Sequence, residues 1–457
     1  MAMIVEESTQ NVNSNVGIFL VKQILDAVPS FGKFDGCQPS LKSQACLTYS
    51  NSAIAKAEVA LMTLGKTSYS DIAAHQRDDL FADCIGEAVP SEPTFRQRLD
   101  YLATLPAFRN WVDDANAEIL SKVADFGSVS ALSGEYVPVD ADVSVMVNDD
   151  CAKEKIGFTY HGVDGYAPIF CTIGRFGYQL ANELRPGNQH SQKDFPAFLK
   201  RCVALARRVT AKRLLVRVDS AHDADDTLAA GFELDDDIRR AVEDCGLAFI
   251  VKRNARREDE RTWIEQCNAE HAPPAYSYRD GDGALVEVFR GSVSHVRTQS
   301  TADRPLFCVW EVKRTTREGE LFPEYSTATW WTNLPDDADT VVRLYHDHAT
   351  CEQFHSELKT DMDVERLPSG CFKTNELVLS LSTLAFNALR RIGQTALASG
   401  VRIGTGRQER LRLRTVILNL MYVAAIVGSH GGIRRLRLGR NCHMAKTFIE
   451  VSRRLAA

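Results

Sequence analysis

The chain has 457 residues, 44% hydrophobic and 25% charged, the balance of a soluble globular protein with two or three cores. No run of eighteen apolar residues occurs, and the opening MAMIVEESTQNVNSN lacks a basic region before an apolar stretch, which argues against a membrane span or secretory signal. The net charge of −6 hides an asymmetry: from Arg390 to Ala457, 13 arginines and Lys446 stand against Glu409 and Glu450, a balance of +12 that leaves −18 elsewhere. Such a tail suits a polyanionic partner or the protein's own acidic surface. Twelve cysteines run from Cys37 to Cys442 without a CxxC pair or zinc-spaced cluster, and read as reduced, packed thiols.

Residues 1–130 carry helical periodicity through Gly17–Val28, Ser52–Leu64, Asp71–Ile85 and Ala107–Val123, broken at Gly32, Gly65 and Pro90. Ser91-Glu-Pro-Thr94 ahead of Phe95 and Leu99 marks a helix start, with Thr94 as N-cap. At Tyr136 the pattern turns to strand: Tyr136–Val147 alternates in part, with Asp140 and Asp142 on one side. Ala167–Phe176 and Tyr178–Leu184 read as two further strands joined near Gly177. Helix Phe195–Lys212, strand Leu214–Asp219, helix Thr227–Cys245 and strand Leu247–Val251 follow. The alternation predicts a mixed α/β sheet with a parallel portion.

Arg253–Arg261 is a charge run that reads as a linker. Short strands and turns fill Tyr276–Leu334, including Arg279-Asp-Gly-Asp-Gly283 and Thr316-Arg-Glu-Gly-Glu320. The spacing then predicts one continuous helix through Val341–Arg366. On it Tyr345, His348, Glu352 and Lys359 recur at steps of three, four and seven, one face that would turn Glu352 inward. Glu357 falls roughly 140° away around that helix. Asn375–Ala398 and Leu411–Val427 read as apolar helices around a Gly- and Arg-rich loop, Val401–Arg414.

Asp142 within the first strand, Asp219 at the end of a later one and Glu352 on a covering helix can converge at one sheet edge. Carboxylates so close repel, and hard divalent cations relieve that by sharing oxygen ligands. Two such ions about 3.5–4 Å apart can activate water and stabilise the leaving oxygen of a phosphodiester.

Tyr345, Glu352 and Lys359 at these intervals resemble the Tyr-Arg-Glu-Lys signature of insertion-sequence transposases with a DDE catalytic domain, His348 standing in the arginine's place. Asp142-Val-Ser144 resembles the first-aspartate motif, usually Asp-x-Thr, and Val218-Asp219-Ser220 the second. Ser91–Phe95, Leu184-Arg-Pro-Gly-Asn188, Asn333-Leu334 and Leu384-Ala-Phe-Asn387 are similar to the subgroup called transposase DDE domain group 1, of insertion-sequence 1380 type. A histidine at the arginine position forgoes the fixed bidentate donor and titrates near pH 6–7.

The resemblance implies an RNase H-like catalytic core, residues 131–254 and 336–400, interrupted by a β-rich insertion, 255–335. A helical DNA-binding region, 1–130, would precede it and a helical, basic C-terminal region, 401–457, follow. It implies a transposase of a bacterial insertion sequence, cytoplasmic and nucleoid-associated, working as a homodimer in a DNA synapse. The enzyme would bind terminal inverted repeats, cleave strands with Mg²⁺, for which Mn²⁺ substitutes, and transfer the 3′-OH ends into target DNA. Asp142, Asp219 and Glu352 would be catalytic and hold the metal. Tyr345, His348 and Lys359 would steady phosphate, and Trp330 and Trp331 would stack on an extruded base. The competing readings are a nuclease of the same fold without strand transfer, and a DNA-binding regulator without catalysis.

Overall fold

A computed structural model describes residues 3, 5–7, 9–36, 48–149, 152–242, 245–256, 258–270, 273–294, 304–400, 408–431 and 433–456. Cys37, residues 401–407 of the loop Val401–Arg414 and Arg257 of the charge run lie outside them. The principal sheet contains β1 (Gly134–Val143), β2 (Ile169–Ile173), β3 (Tyr178–Glu183), β4 (Leu214–Val218), β5 (Leu247–Lys252), β6 (Tyr276–Arg279), β7 (Leu285–Ser294), β8 (Phe307–Thr316) and β9 (Glu324–Thr332). Their order across it is β6-β7-β8-β9-β5-β4-β1-β2-β3, with Val129–Ala131 paired beside β1. β1, β4 and β5 are parallel, and β2, β3 and β9 run antiparallel to their neighbours.

The parallel strands are almost wholly apolar because both faces are covered. Helix Phe195–Val209 buries Phe195, Phe198, Leu199, Cys202, Val203 and Ala206 at helical spacing, and Asp225–Ala241 follows β4. The strands read within Tyr276–Leu334 join the principal sheet. After helix Arg261–Glu270 they extend it, and β9 returns to β5 with Val251 opposite Trp331. Asn333 then extends the pairing with its side chain, accepting from Phe249 N–H (2.9 Å) and donating to the Leu247 carbonyl (3.1 Å).

The N-terminal helices Ile18–Asp26, Asn51–Thr63, Asp79–Ile85, Glu92–Leu102 and Phe108–Leu120 share one core with the long helix Phe372–Ala398 and helix Ala445–Ala456. Asn387, fully buried, donates to Asn116 and to the Gln179 carbonyl at 2.7 Å each, fastening the long helix to β3 and helix Phe108–Leu120. No helix among the described residues is long and apolar enough to cross a membrane.

Three readings of local structure change. Ser91, not Thr94, caps its helix, because its Oγ accepts the Thr94 N–H at 3.4 Å while Pro93 occupies the first turn. Leu411–Val427 is not one helix: Leu413–Val416 widens into a π turn, Ile417–Met421, and Ala425–His430 is a strand. The N-terminal segment takes the backbone groups there, with Val16 N–H on the Val423 carbonyl (3.1 Å) and Val12–Asn13 paired with Ala425–Ile426. Val341–Arg366 is also segmented: Ala338–His346 is α-helical, Asp347–Ala349 3₁₀, Thr350–Ser356 α and Glu357–Asp361 π.

Candidate active site

The parallel register brings the two aspartates together. Asp140 pairs with Arg217 and Ala141 with Val218, so one residue further on Asp142 and Asp219 stand side by side. Asp140 and Asp142 share a strand face but meet different partners. Arg217 donates to both oxygens of buried Asp140 at 2.6 and 2.7 Å, and to the Leu344 carbonyl at 2.6 Å. Burial alone would raise Asp140; Arg217 and His348 instead hold it at about 2.

Asp142 is pushed the other way. Burial first, then the Asp219 charge, lift its carboxyl to about 7. His348 and the Val143 N–H, which donates at 2.7 Å, oppose the rise, and Glu352 adds to it. Asp219 is raised by partial burial, against His348, the Ala221 N–H and Lys252. Its side chain, 40% exposed, caps the turn Ser220–His222 through Ala221 N–H at 3.2 Å. Two histidines flank the pair: His222 Nε2 is 3.8 Å from Asp219, and His355 Nδ1 is 4.0 Å from Asp142. Burial presses both to about 3, so both are neutral.

The third acid departs from expectation. Glu352 is exposed rather than turned inward, and lines a cleft with Gln353, Arg410 and Arg412. The carboxylate buried from this segment is Glu357, 1% exposed, which accepts from Arg390 (2.8 Å), Arg410 and the Leu413 N–H (3.1 Å). The 3₁₀ turn and π turn break the 100° step on which the single face depended. Beneath them, the β2–β3 turn presses on the Glu352 helix: a Cβ at Gly177, which has φ +67°, would lie 2.3 Å from the Phe354 ring.

His348 is buried and directs Nδ1 at Asp140 (3.0 Å), not at the cleft. Asp140, His348 and Cys351 bring possible ligand atoms within 4.8 Å of one another. Arg217 already takes both Asp140 oxygens, so the trio serves an ion pair rather than a cation. Lys359 donates to the Val145 carbonyl at 3.0 Å, just beyond Asp142. Tyr345 packs between Trp330 and His348, its ring 5.7 Å from each. Trp330 and Trp331, each 2% exposed, are core residues of β9 and present no free face; Trp331 donates to Asp223 at 3.1 Å.

The sequence places Asp140 beside Asp142 but does not show its partner Arg217, although a lone arginine inside an apolar strand demands a buried counter-charge. Phe158 and Tyr160 escaped the reading of the sequence. With Asn188, Asp142 and Asp219 they line an open cleft of about 590 Å³. Two aromatics two apart, followed by His161 and Gly162 shortly after the first aspartate, were the available signal.

The family model described as transposase DDE domain group 1 matches residues 2–457. The chain therefore belongs to that family and is a DNA transposase of the DDE class. No curated protein matches it. Among solved structures, a cryo-EM structure of piggyBac transposase in a synaptic complex with hairpin DNA is similar over 98% of this chain and 85% of that one, at 12% identity and a TM-score of 0.42.

Proposed function

We propose that this transposase cleaves DNA at the ends of its element and joins the freed 3′-OH ends to target DNA, with Asp142, Asp219 and Glu352 as its acidic triad. The observation that carries the reading is the Asp142–Asp219 pair at adjacent ends of parallel strands, where burial first and the Asp219 charge second lift Asp142 to about 7. Carboxylate oxygens flanked by neutral histidines suit hard divalent cations such as Mg²⁺ or Mn²⁺. Bound there, such ions supply an activated water and charge stabilisation for the leaving oxygen. The protein's part is placement. The Arg217–Asp140 pair fixes the spacing of the aspartates two positions further along, and Lys359, whose ammonium makes one hydrogen bond among the described residues, offers charge to phosphate.

The order β3-β2-β1-β4-β5, with β2 reversed, supports reading the core as RNase H-like. Two copies would hold the two element ends in one synapse. The test is Asp219→Ala on a duplex drawn from the DNA flanking the gene. Because the Asp219 side chain is 40% exposed and makes a single capping hydrogen bond, to Ala221 N–H, the variant should lose about 1 kcal/mol of stability. It should bind ends as before and no longer nick them. A folded Asp219→Ala that cleaves at the normal rate overturns the reading; cleavage without joining to a second DNA leaves a nuclease.

A further inference from the structure

The motif Leu184-Arg-Pro-Gly-Asn188 has no part in the chemistry above, yet it borders the catalytic cleft. Met146–Val147, Gly157–Phe158 and Asp164–Tyr166 form a small antiparallel sheet beyond the end of β1. Gly187 is wedged against it. A Cβ there would lie 2.2 Å from the Gly165 carbonyl oxygen and 2.3 Å from that of Gly157. Only glycine passes, so the motif and the small sheet are locked together. Buried Arg185 secures the chain on either side, donating to Glu183 and to the Ser191 carbonyl at 3.0 Å each.

The result is a lined slot. Phe158 and Tyr160 are 67% and 63% exposed, among the largest apolar surfaces on the core, and both border the cleft that holds Asp142 and Asp219. Tyr160 is tethered: its hydroxyl donates to the Val143 carbonyl at 3.0 Å, one residue from Asp142, and His161 meets its ring edge-on at 4.5 Å. Across the cleft, the side-chain amides of Asn188 and Gln189 make no hydrogen bond among the described residues. Exposed rings favour an aromatic cover, and free amides favour a ligand with donors and acceptors on its edge. The cleft has the volume of a small-molecule site, too small for a duplex.

We propose that this slot binds one unpaired nucleotide of the DNA strand at Asp142 and Asp219, its base stacked on Phe158 and Tyr160 and its edge met by Asn188 and Gln189. The proposal rests on the catalytic reading above and adds its substrate: a strand with a base out of the helix.

The probe is a short duplex with a single-stranded 3′ tail carrying 2-aminopurine at the junction, mixed with protein in EDTA. Wild type should quench the fluorophore by stacking. Phe158→Ala/Tyr160→Ala should lose most of the quench and bind the tailed duplex about tenfold more weakly or worse. Its affinity for the blunt duplex and its thermal unfolding should hold. Tyr160→Phe, which keeps the ring, should quench like wild type. Equal quenching by the folded double variant, or equal loss on blunt and tailed DNA, overturns the slot. Asp219→Ala separates the two readings, since it should quench fully yet fail to cleave. A wild type that quenches but never cleaves refutes the catalytic reading alone.

Discussion

Arg217 holds Asp140 by both carboxylate oxygens across directly paired positions of two parallel strands. Two positions further along the same face stand Asp142 and Asp219, which have no arginine or lysine ion pair among the described residues. One pair is neutralised and pinned, while the other has its carboxyls pushed upward and lines the cleft. The fold thus spends a buried arginine on geometry and keeps the repelling carboxylates for chemistry.

The two glutamates of the central segment should therefore fail in different ways. Glu352→Gln removes an exposed carboxylate near Asp142 and should abolish cleavage with an unchanged unfolding temperature. Glu357→Gln strips the counter-charge from buried Arg390 and should cost about 3–5 kcal/mol of stability, with weaker cleavage only as the folded fraction falls. Denaturant melts and single-turnover nicking on the same preparations check both. An active Glu352→Gln would remove it from the triad.

Restoring the signature arginine should not help. His348 Nδ1 lies 3.0 Å from an Asp140 that Arg217 already satisfies. His348→Arg adds bulk and a second guanidinium to a closed pocket, and should lower stability by about 1–3 kcal/mol without raising cleavage. A more stable or faster variant would show that the pocket has room for phosphate. Thermal melts and cleavage rates decide it.

Glu58 on helix Asn51–Thr63 is buried, and burial followed by the Asp71 charge lifts its carboxyl from 4.5 to about 8. Its folded pKa lies above its unfolded one, so the folded state binds the extra proton. That contribution is complete below about pH 4.5 and is lost as pH rises to about 8. Glu58→Gln should raise stability by on the order of 2–4 kcal/mol at pH 8 and change it little at pH 4. Urea titrations at the two pH values measure it. Equal effects at both would mean that Glu58 does not change its proton on folding.

The basic tail divides into spent and unspent charge. Arg434 pairs with Asp79 and Asp83, whereas exposed Arg435 and Arg437 on the strand Ile433–Leu438 have no ion pair among the described residues. Arg435→Ala/Arg437→Ala should weaken binding to all DNA sequences alike and flatten the dependence of log K on log salt by about 2. An unchanged slope would exclude phosphate contacts there.

Much of this was legible in the sequence. β4 and β5 announced themselves through apolar runs and β1 through partial alternation, Asp142 lying within that strand and Asp219 where an apolar run ends. The phase of the Glu352 segment was hidden because periodicity assumes one pitch, and three pitches occur within twenty residues of it. The run Leu411–Val427 was hidden for another reason: apolar content alone does not separate helix from strand, and its partner Val12–Asn13 lies at the other end of the chain. Ion pairs such as Arg217–Asp140 depend on register, which no local window contains.

The pairing of Val12–Asn13 with Ala425–Ile426 also sets a clock on synthesis. The N-terminal helices emerge from the ribosome first, yet the core they belong to includes Leu420, Val423 and Phe448. At ordinary elongation rates the wait between these partners is roughly 20–80 s. Throughout it, the apolar face that Leu420, Val423 and Phe448 complete stands open to chaperones and proteases. A chain cut short before residue 426 never closes that face.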